Sequence, residues 1–174
     1  AGSLTRGFNS YWMDMTEGND WFANKSIHKI INRQVEVMKE SLEWPHETMP
    51  GIAMILDDSA VLETNGTGNY LNEAVMWEQK MGMARCGVPH NIYLFEDLAL
   101  DNFPKHRVFY FPDLFRVDEK RMALLKEKVF RDGNVVIWGP GSGISDGDKI
   151  GTESAAQLTG FSFDIINANK PRRI

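Results

Sequence analysis

The spacing of apolar residues changes along the chain, and each change predicts a different element. Over residues 24–42 apolar side chains recur every three or four positions, which predicts one amphipathic helix with a stripe of Ile27, Ile31, Val35, Met38 and Leu42. Pro45 and Pro50 then predict a connector. Residues 52–56 form a continuous apolar run, which is typical of a strand buried on both faces of a parallel sheet.

Strands and helices are predicted to alternate after that first strand. Short apolar runs at 91–95, 108–111 and 135–138 indicate three more strands, and residues 161–165 alternate like a fifth strand at a sheet edge. Helical periodicity indicates helices over 71–85, 118–130 and 152–158, with Asp118 as an N-cap and Met122, Leu125 and Val129 as a buried stripe. The link over 96–107 leaves room for about one helical turn.

This alternation predicts the fold class. Strand–helix–strand units make right-handed crossovers, so we expect an α/β protein with three layers and a doubly wound, mostly parallel sheet of five strands. The spacing suits the flavodoxin-like order 2-1-3-4-5. Residues 51–174 hold this predicted domain, and residues 1–50 precede it as an extended segment and a connecting helix.

Composition and charge narrow the possible partners. A net charge of −5, with a basic cluster only at 170–173, argues against nucleic acid, and no run approaches the roughly 20 apolar residues of a membrane span. No signal peptide begins the sequence, and the compartment of the protein stays open between cytoplasmic and extracytoplasmic. We expect Cys86 to pack in the core. The histidines are scattered at no metal-ligand spacing, and we expect all four to be surface or capping residues: His28, His46, His90 and His106.

Polar residues at the predicted strand ends are the candidate site, because ligands of such sheets bind at the carboxyl edge. They are Asp57 and Asp58 after the first strand, Asp113 after the third and Ser142 after the fourth. With Lys170 they follow the order of a receiver-like phosphoacceptor that binds Mg²⁺, the alternative function. Lys170 lies about five residues beyond the last predicted strand, and the first fifty residues have no place in a receiver.

Two other patterns suggest a phosphate-binding loop and a nucleophile, but the surrounding sequence does not have the arrangement that either one requires. Residues 67–69 resemble part of a flavin phosphate loop, yet they lie too far from the first strand. Ser145 fits the G-x-S-x-G pattern, but not on a sharp strand-to-helix turn, and Cys86 likewise lacks the context of a nucleophile. Since Asp and Gly are common in turns for structural reasons, we expect no cofactor, no metal and no complete active site.

Several stretches resemble one enzyme family. The segment Tyr11-Trp12-Met13-Asp14-Met15, with Trp21-Phe22, resembles the exit from the last barrel strand of bacterial β-galactosidases. The stretches at 52–58, 87–93, 96–98, 106–112, 117–119 and 131–136 resemble the trimerisation domain that follows that barrel.

This resemblance implies a fold similar to class I glutamine amidotransferases without their catalytic residues. It also implies a glycoside hydrolase as the parent protein, whose catalytic carboxylates lie on earlier barrel strands. The chain would then be a non-catalytic accessory and oligomerisation domain that contacts the barrel of its own parent chain. Carbohydrate would bind through the parent, with Trp12 and Asp14 bordering the sugar site.

Overall fold

The chain forms two compact units, Ala1–Thr48 and Met49–Ile174. The computed structural model describes residues 23–45, 51–64, 74 and 78–166. Its helices are α1 (Lys25–Ser41), α2 (Ala60–Glu63), α3 (Gln79–Arg85), α4 (Glu119–Lys128) and α5 (Thr152–Thr159), with a 3₁₀ helix at Phe95–Ala99. Its strands are β1 (Ile52–Leu56), β2 (His90–Leu94), β3 (Val108–Phe111) and β4 (Val135–Trp138). None of these helices combines the length and apolar character needed to cross a bilayer.

Helix α1 is the described element of the first unit. It begins after Asn24, whose side-chain oxygen accepts a hydrogen bond from the backbone N–H of Ser26 at 2.8 Å. The predicted bounds are therefore right to within one residue. Of the predicted apolar stripe, Ile27, Ile31 and Met38 are half-buried, whereas Val35 and Leu42 are exposed.

The second unit is built on a parallel sheet with strand order β2-β1-β3-β4. The first four strands of the predicted order are confirmed, and the fold is α/β with a parallel sheet flanked by helices, consistent with a flavodoxin-like three-layer fold. The predicted fifth strand is wrong for the described residues, because residues 161–165 form no strand and are not part of the sheet. Alternation predicts an extended backbone, but it does not specify a hydrogen-bonded neighbour.

The register of the strands divides their side chains between two faces. Ala53, Phe109 and Val136 are aligned across the sheet and point to one face, as do Ile55 and Phe111 two residues later. This face forms the main core with side chains from the 3₁₀ helix, α4 and α5, including Phe95, Leu98, Leu125, Val129 and Leu158. The predicted buried stripe of α4 is thus confirmed.

The direction of the crossovers explains why helices lie on both faces. The connection from β1 to β2 runs across the sheet in one direction, and those from β2 to β3 and from β3 to β4 run in the other. If all three crossovers are right-handed, the β1–β2 connection lies on one face of the sheet and the other two connections lie on the opposite face. On the second face, the Tyr110 hydroxyl donates a hydrogen bond to the side-chain oxygen of Gln79 in α3 at 2.8 Å.

Two residues differ from their predicted environments. Cys86 is exposed rather than in the core, because it follows the last residue of α3 and its thiol donates to the Met83 carbonyl at 3.1 Å. His106 is buried rather than on the surface. Its Nδ1 lies 3.1 Å from the Gly51 carbonyl, which can only accept, so Nε2 accepts from the Tyr93 hydroxyl at 3.1 Å. His106 thereby joins β1 and β2 at the amino edge of the sheet.

Gly139 allows β4 to leave the sheet close to β3. Its N–H donates to the Phe111 carbonyl at 2.7 Å, and an added Cβ would lie only 2.1 Å from the Pro112 carbonyl oxygen. We expect Gly139→Ala to lower the free energy of unfolding by about 1–3 kcal/mol, because backbone must move to admit the methyl group. Urea denaturation followed by circular dichroism measures this change.

Gly82→Ala is the matched control for that substitution. Gly82 lies within α3, and an added Cβ there meets nothing within 4 Å. Alanine should therefore be neutral or stabilising by roughly 0.5–1 kcal/mol. Equal unfolding free energies for the two variants would contradict the close approach at Gly139.

Candidate functional site

The carboxyl ends of β1 and β3 bring two of the candidate residues together. The backbone N–H of Asp57 donates a hydrogen bond to Oδ1 of Asp113 at 3.0 Å, although the residues are 56 positions apart in sequence. Both are buried, with relative exposures of 1% for Asp57 and 0% for Asp113. Charged groups at such depth need compensating partners within the protein.

Arg121 of α4 supplies the compensating charge for Asp57. Its Nη1 donates to Oδ2 of Asp57 and its Nη2 donates to Oδ1 at 3.1 Å, so the guanidinium contacts both carboxylate oxygens. The backbone N–H and the hydroxyl of Ser59 also donate to Oδ1, at 3.0 and 2.7 Å. The carboxylate of Asp57 is therefore fully engaged by its own chain.

Further contacts hold the Arg121 guanidinium in place. Nη1 donates to the Arg116 carbonyl at 3.1 Å, Nη2 lies 3.4 Å from a carboxylate oxygen of Glu96, and the group lies over the Phe95 ring at 4.7 Å. Burial by itself would lower the pKa of Arg121, but the hydrogen bonds and charge of Asp57, with the charge of Glu96, raise that pKa above its ordinary value. Arg121 thus stays charged.

Asp118 fixes the start of the helix that carries Arg121. It is the N-cap of α4, and its Oδ1 accepts from the backbone N–H of Arg121 at 2.8 Å. This hydrogen bond, with the nearby Arg116 guanidinium at 3.4 Å, lowers the pKa of Asp118 although partial burial opposes the shift. One turn of helix therefore positions both the cap and the buried cation.

The remaining strand-end candidates have separate roles in the described structure. Ser142 is buried, and its hydroxyl donates to the Gly139 carbonyl at 2.9 Å within the loop after β4. Asp58 is exposed. Oxygens of Asp57, Asp58 and Glu96 lie within 4.8 Å of one another, and Arg121 already supplies positive charge to two of these three residues.

This geometry does not favour the phosphoacceptor hypothesis. A phosphoacceptor must meet its donor, whereas the described structure buries Asp113 completely and pairs Asp57 with an arginine. Ser145 also has a structural role, since its backbone N–H donates to the Phe115 carbonyl and its hydroxyl accepts from the backbone N–H of Gly147. Trp12, Asp14, Lys170 and residues 67–69, which resemble part of a flavin phosphate loop, lie outside the described residues.

A surface cleft of about 920 Å³ lies beside this network, between α4 and the loop that leads to α5. Its lining carries charges of both signs, including Lys120, Lys149, Asp146 and Asp148. Backbone N–H groups of Lys149 and Asp148 donate to the Asp146 carboxylate and lower its pKa. Because this carboxylate shapes its own turn and the charges are mixed, the cleft indicates no single class of ligand.

Sequence reasoning missed Arg121, Ser59 and Glu96. A usable signal for Arg121 was its place in the first turn of a helix that begins near the carboxyl edge, where two aspartates were already predicted to lie. What the sequence could not supply was the pairing itself, because Arg121 and Asp57 are 64 positions apart.

Comparisons with known proteins give a fold relationship. No protein-family model and no curated protein matches the sequence. The structure is similar to the crystal structure of β-galactosidase from Bifidobacterium adolescentis, with a TM-score of 0.51 and 13% sequence identity. The match covers 68% of this chain and 57% of that chain, so it spans little more than half of the bifidobacterial protein. At this identity the similarity shows a shared fold.

Removal of the buried cation should be costly. Arg121→Met leaves Asp57 charged and uncompensated, and we expect the free energy of unfolding to fall by about 3–5 kcal/mol. The double variant Arg121→Met with Asp57→Leu should lose much less than the sum of the two single changes, because it leaves no buried charge behind. Chemical denaturation of all three variants measures this coupling.

An exposed ion pair serves as the control for Arg121. Arg33 and Glu36 lie 3.0 Å apart on α1 with both side chains largely exposed, so Arg33→Met should change stability by less than about 1 kcal/mol. Additive effects in the Arg121 and Asp57 variants would show that the two side chains act independently.

The lowered pKa of Asp118 predicts a pH dependence of stability. A carboxylate whose pKa is lower in the folded state stabilises the fold above its unfolded pKa, about 3.9, and loses this contribution as the pH falls through the folded pKa. Asp118→Asn keeps a capping oxygen but no charge. The stability difference between wild type and Asp118→Asn should therefore be largest above about pH 5 and shrink below pH 4. Thermal melts across this range test it, and a difference that grows on acidification would contradict the assignment.

Proposed function

We propose that this chain is a non-catalytic accessory domain of a glycoside hydrolase of the β-galactosidase kind. In this proposal residues 1–50 leave the catalytic barrel and provide the connecting helix, while residues 51–174 form the α/β domain that contacts the barrel and neighbouring subunits. Trp12 and Asp14 border the sugar site of the parent protein. Carbohydrate is bound by the parent, and the role of this domain is steric and interfacial.

The observation that carries this proposal is that the polar groups at the carboxyl edge of the sheet are engaged by contacts within the chain. An enzyme on this fold would place reactive groups where Asp57 and Asp113 lie. Here Asp57 is neutralised by Arg121, Asp113 is fully buried and accepts from the backbone N–H of Asp57, and Gly139 lies against Pro112. Groups that hold the fold together in this way are poorly suited to react with a substrate.

Apolar side chains on the opposite sheet face offer a surface for protein contacts. Ile92 and Leu94 of β2 and Ile137 of β4 are each at least 40% exposed. They lie on the two outer strands of the described sheet, and exposed apolar side chains can mark protein–protein contacts. The similarity to a β-galactosidase chain supports a large carbohydrate-active parent as the source of those contacts.

The first test is activity. The purified chain should not hydrolyse aryl β-galactosides or other aryl glycosides above the buffer rate, and acetyl phosphate with Mg²⁺ should add no phosphoryl group at Asp113 by mass spectrometry. Hydrolysis that disappears when the chain is denatured would refute the accessory role. Phosphorylation at Asp113 would favour the receiver-like alternative.

The interfacial role has its own readout. The chain should co-elute in size-exclusion chromatography with the separately expressed catalytic barrel of its parent protein, and Ile92→Lys should weaken this complex without lowering the melting temperature of the chain. Val61→Lys, at an exposed position on α2, is the control and should leave the complex intact.

A further inference from the structure

A pocket of about 310 Å³ lies at the amino edge of the sheet, the opposite edge from the Arg121 network. It is bounded by the link over 100–107, the end of α4 and the turn that leads into β4. The backbone carbonyl of Arg107 accepts a hydrogen bond from the N–H of Val135 at 2.8 Å, which fixes two of these walls side by side. Ligand pockets range from about 300 to 1,000 Å³, so this volume suits a small ligand.

Three aromatic rings among the lining residues give the pocket an apolar surface. The ring centroid of His106 lies 6.0 Å from that of Phe103 and 6.2 Å from that of Phe109. Both ring nitrogens of His106 are engaged within the chain, by the Gly51 carbonyl and the Tyr93 hydroxyl. The imidazole therefore has no polar atom left for a ligand, and all three residues contribute apolar surface.

The charged residues of the lining are mainly cationic, although the chain as a whole has a net charge of −5. The acidic ones are Asp101 and Asp132, and the cationic ones are Lys105, Arg107, Lys128 and Arg131. Lys128 lies 3.3 Å from a carboxylate oxygen of Glu127, and Arg131 lies 3.2 Å from one of Asp132. Within the part of the chain that the structure describes, Lys105 and Arg107 have no carboxylate partner within 4 Å.

The helix dipole accounts for only part of this positive charge. Helix α4 ends at Lys128, and cations in the last turn of a helix interact favourably with its carbonyl end. Lys105 and Arg107 belong to a different segment, the link that precedes β3. The fold therefore gives a structural reason for the cations of α4 but leaves Lys105 and Arg107 with their charge uncompensated beside an apolar pocket.

We propose that this pocket binds a small aromatic carboxylate. The ring of the ligand lies against the three aromatic residues, and its carboxylate lies between Lys105 and Arg107. A guanidinium matches a planar carboxylate with two parallel hydrogen bonds, and the lysine adds a second positive charge. Removal of the ligand ring from water stabilises the complex further. The site goes beyond the accessory function, because it needs neither the catalytic barrel nor a second copy of the chain.

Titration with benzoate, followed by two-dimensional NMR of the ¹⁵N-labelled chain, tests the site. Benzoate should shift the amide signals of residues 100–109 and 128–134 in a saturable way. Benzamide has the same shape without the charge, and it should bind about tenfold more weakly or worse, since hydrogen bonds between charged groups are the stronger ones. Inorganic phosphate has charge without a ring, and it should also bind more weakly than benzoate.

A pair of double variants separates this pocket from general attraction of anions. Lys105→Met with Arg107→Met should weaken benzoate binding by about tenfold or more and leave the melting temperature unchanged, because both side chains are exposed. Lys120→Met with Lys149→Met removes the same charge from the larger cleft beside α4 and should leave benzoate binding unchanged.

Four results would each overturn the proposal. They are the absence of saturable benzoate binding, equal binding of benzamide, equal binding of inorganic phosphate, which would show an adventitious ion only, and benzoate binding that survives in the Lys105 and Arg107 double variant. The accessory function fails separately, through glycoside hydrolysis by the chain, so the two failures are distinguishable.

Discussion

The buried ion pair between Arg121 and Asp57 is the constraint on which the α/β unit depends. It ties the end of the central strand β1 to the first turn of α4, and through Phe95 and Glu96 it reaches the 3₁₀ helix after β2. An ion pair at this depth is a weak source of net stability, because desolvation offsets most of its attraction. We expect it to contribute specificity instead, since any other docking of α4 would leave a charge buried without its partner.

The hydrophobic core and this polar network make different contributions to the fold: the core supplies apolar burial, and the polar network fixes positions. The aligned side chains of β1, β3 and β4 provide the burial that drives α4 and α5 onto one face of the sheet. Apolar burial alone tolerates small shifts in position. The hydrogen bonds of Asp57, Asp113 and Asp118 fix the carboxyl edge at one register. The same groups that make this edge rigid are already engaged within the chain, which supports the proposed interfacial function.

The strand-end aspartates show how far sequence reasoning reaches. Their placement at one edge follows from parallel strands, and Asp57 and Asp113 do lie in contact. Their role does not follow, because an aspartate at a strand end can bind a metal or pair with a cation, and the choice depends on a residue far away in sequence. The same limit explains Cys86 and His106, whose burial is decided by the neighbours that tertiary packing brings to them.

Local patterns in the sequence determined the four strands, the N-cap Asp118 and the buried stripe of α4, because periodicity and capping act over a few residues. Strand order followed as well, since right-handed crossovers restrict the possible topologies. Only the tertiary structure decided that Arg121 neutralises Asp57 and that residues 161–165 stay outside the sheet. Both depend on which distant groups meet, and neither apolar periodicity nor turn chemistry carries that information.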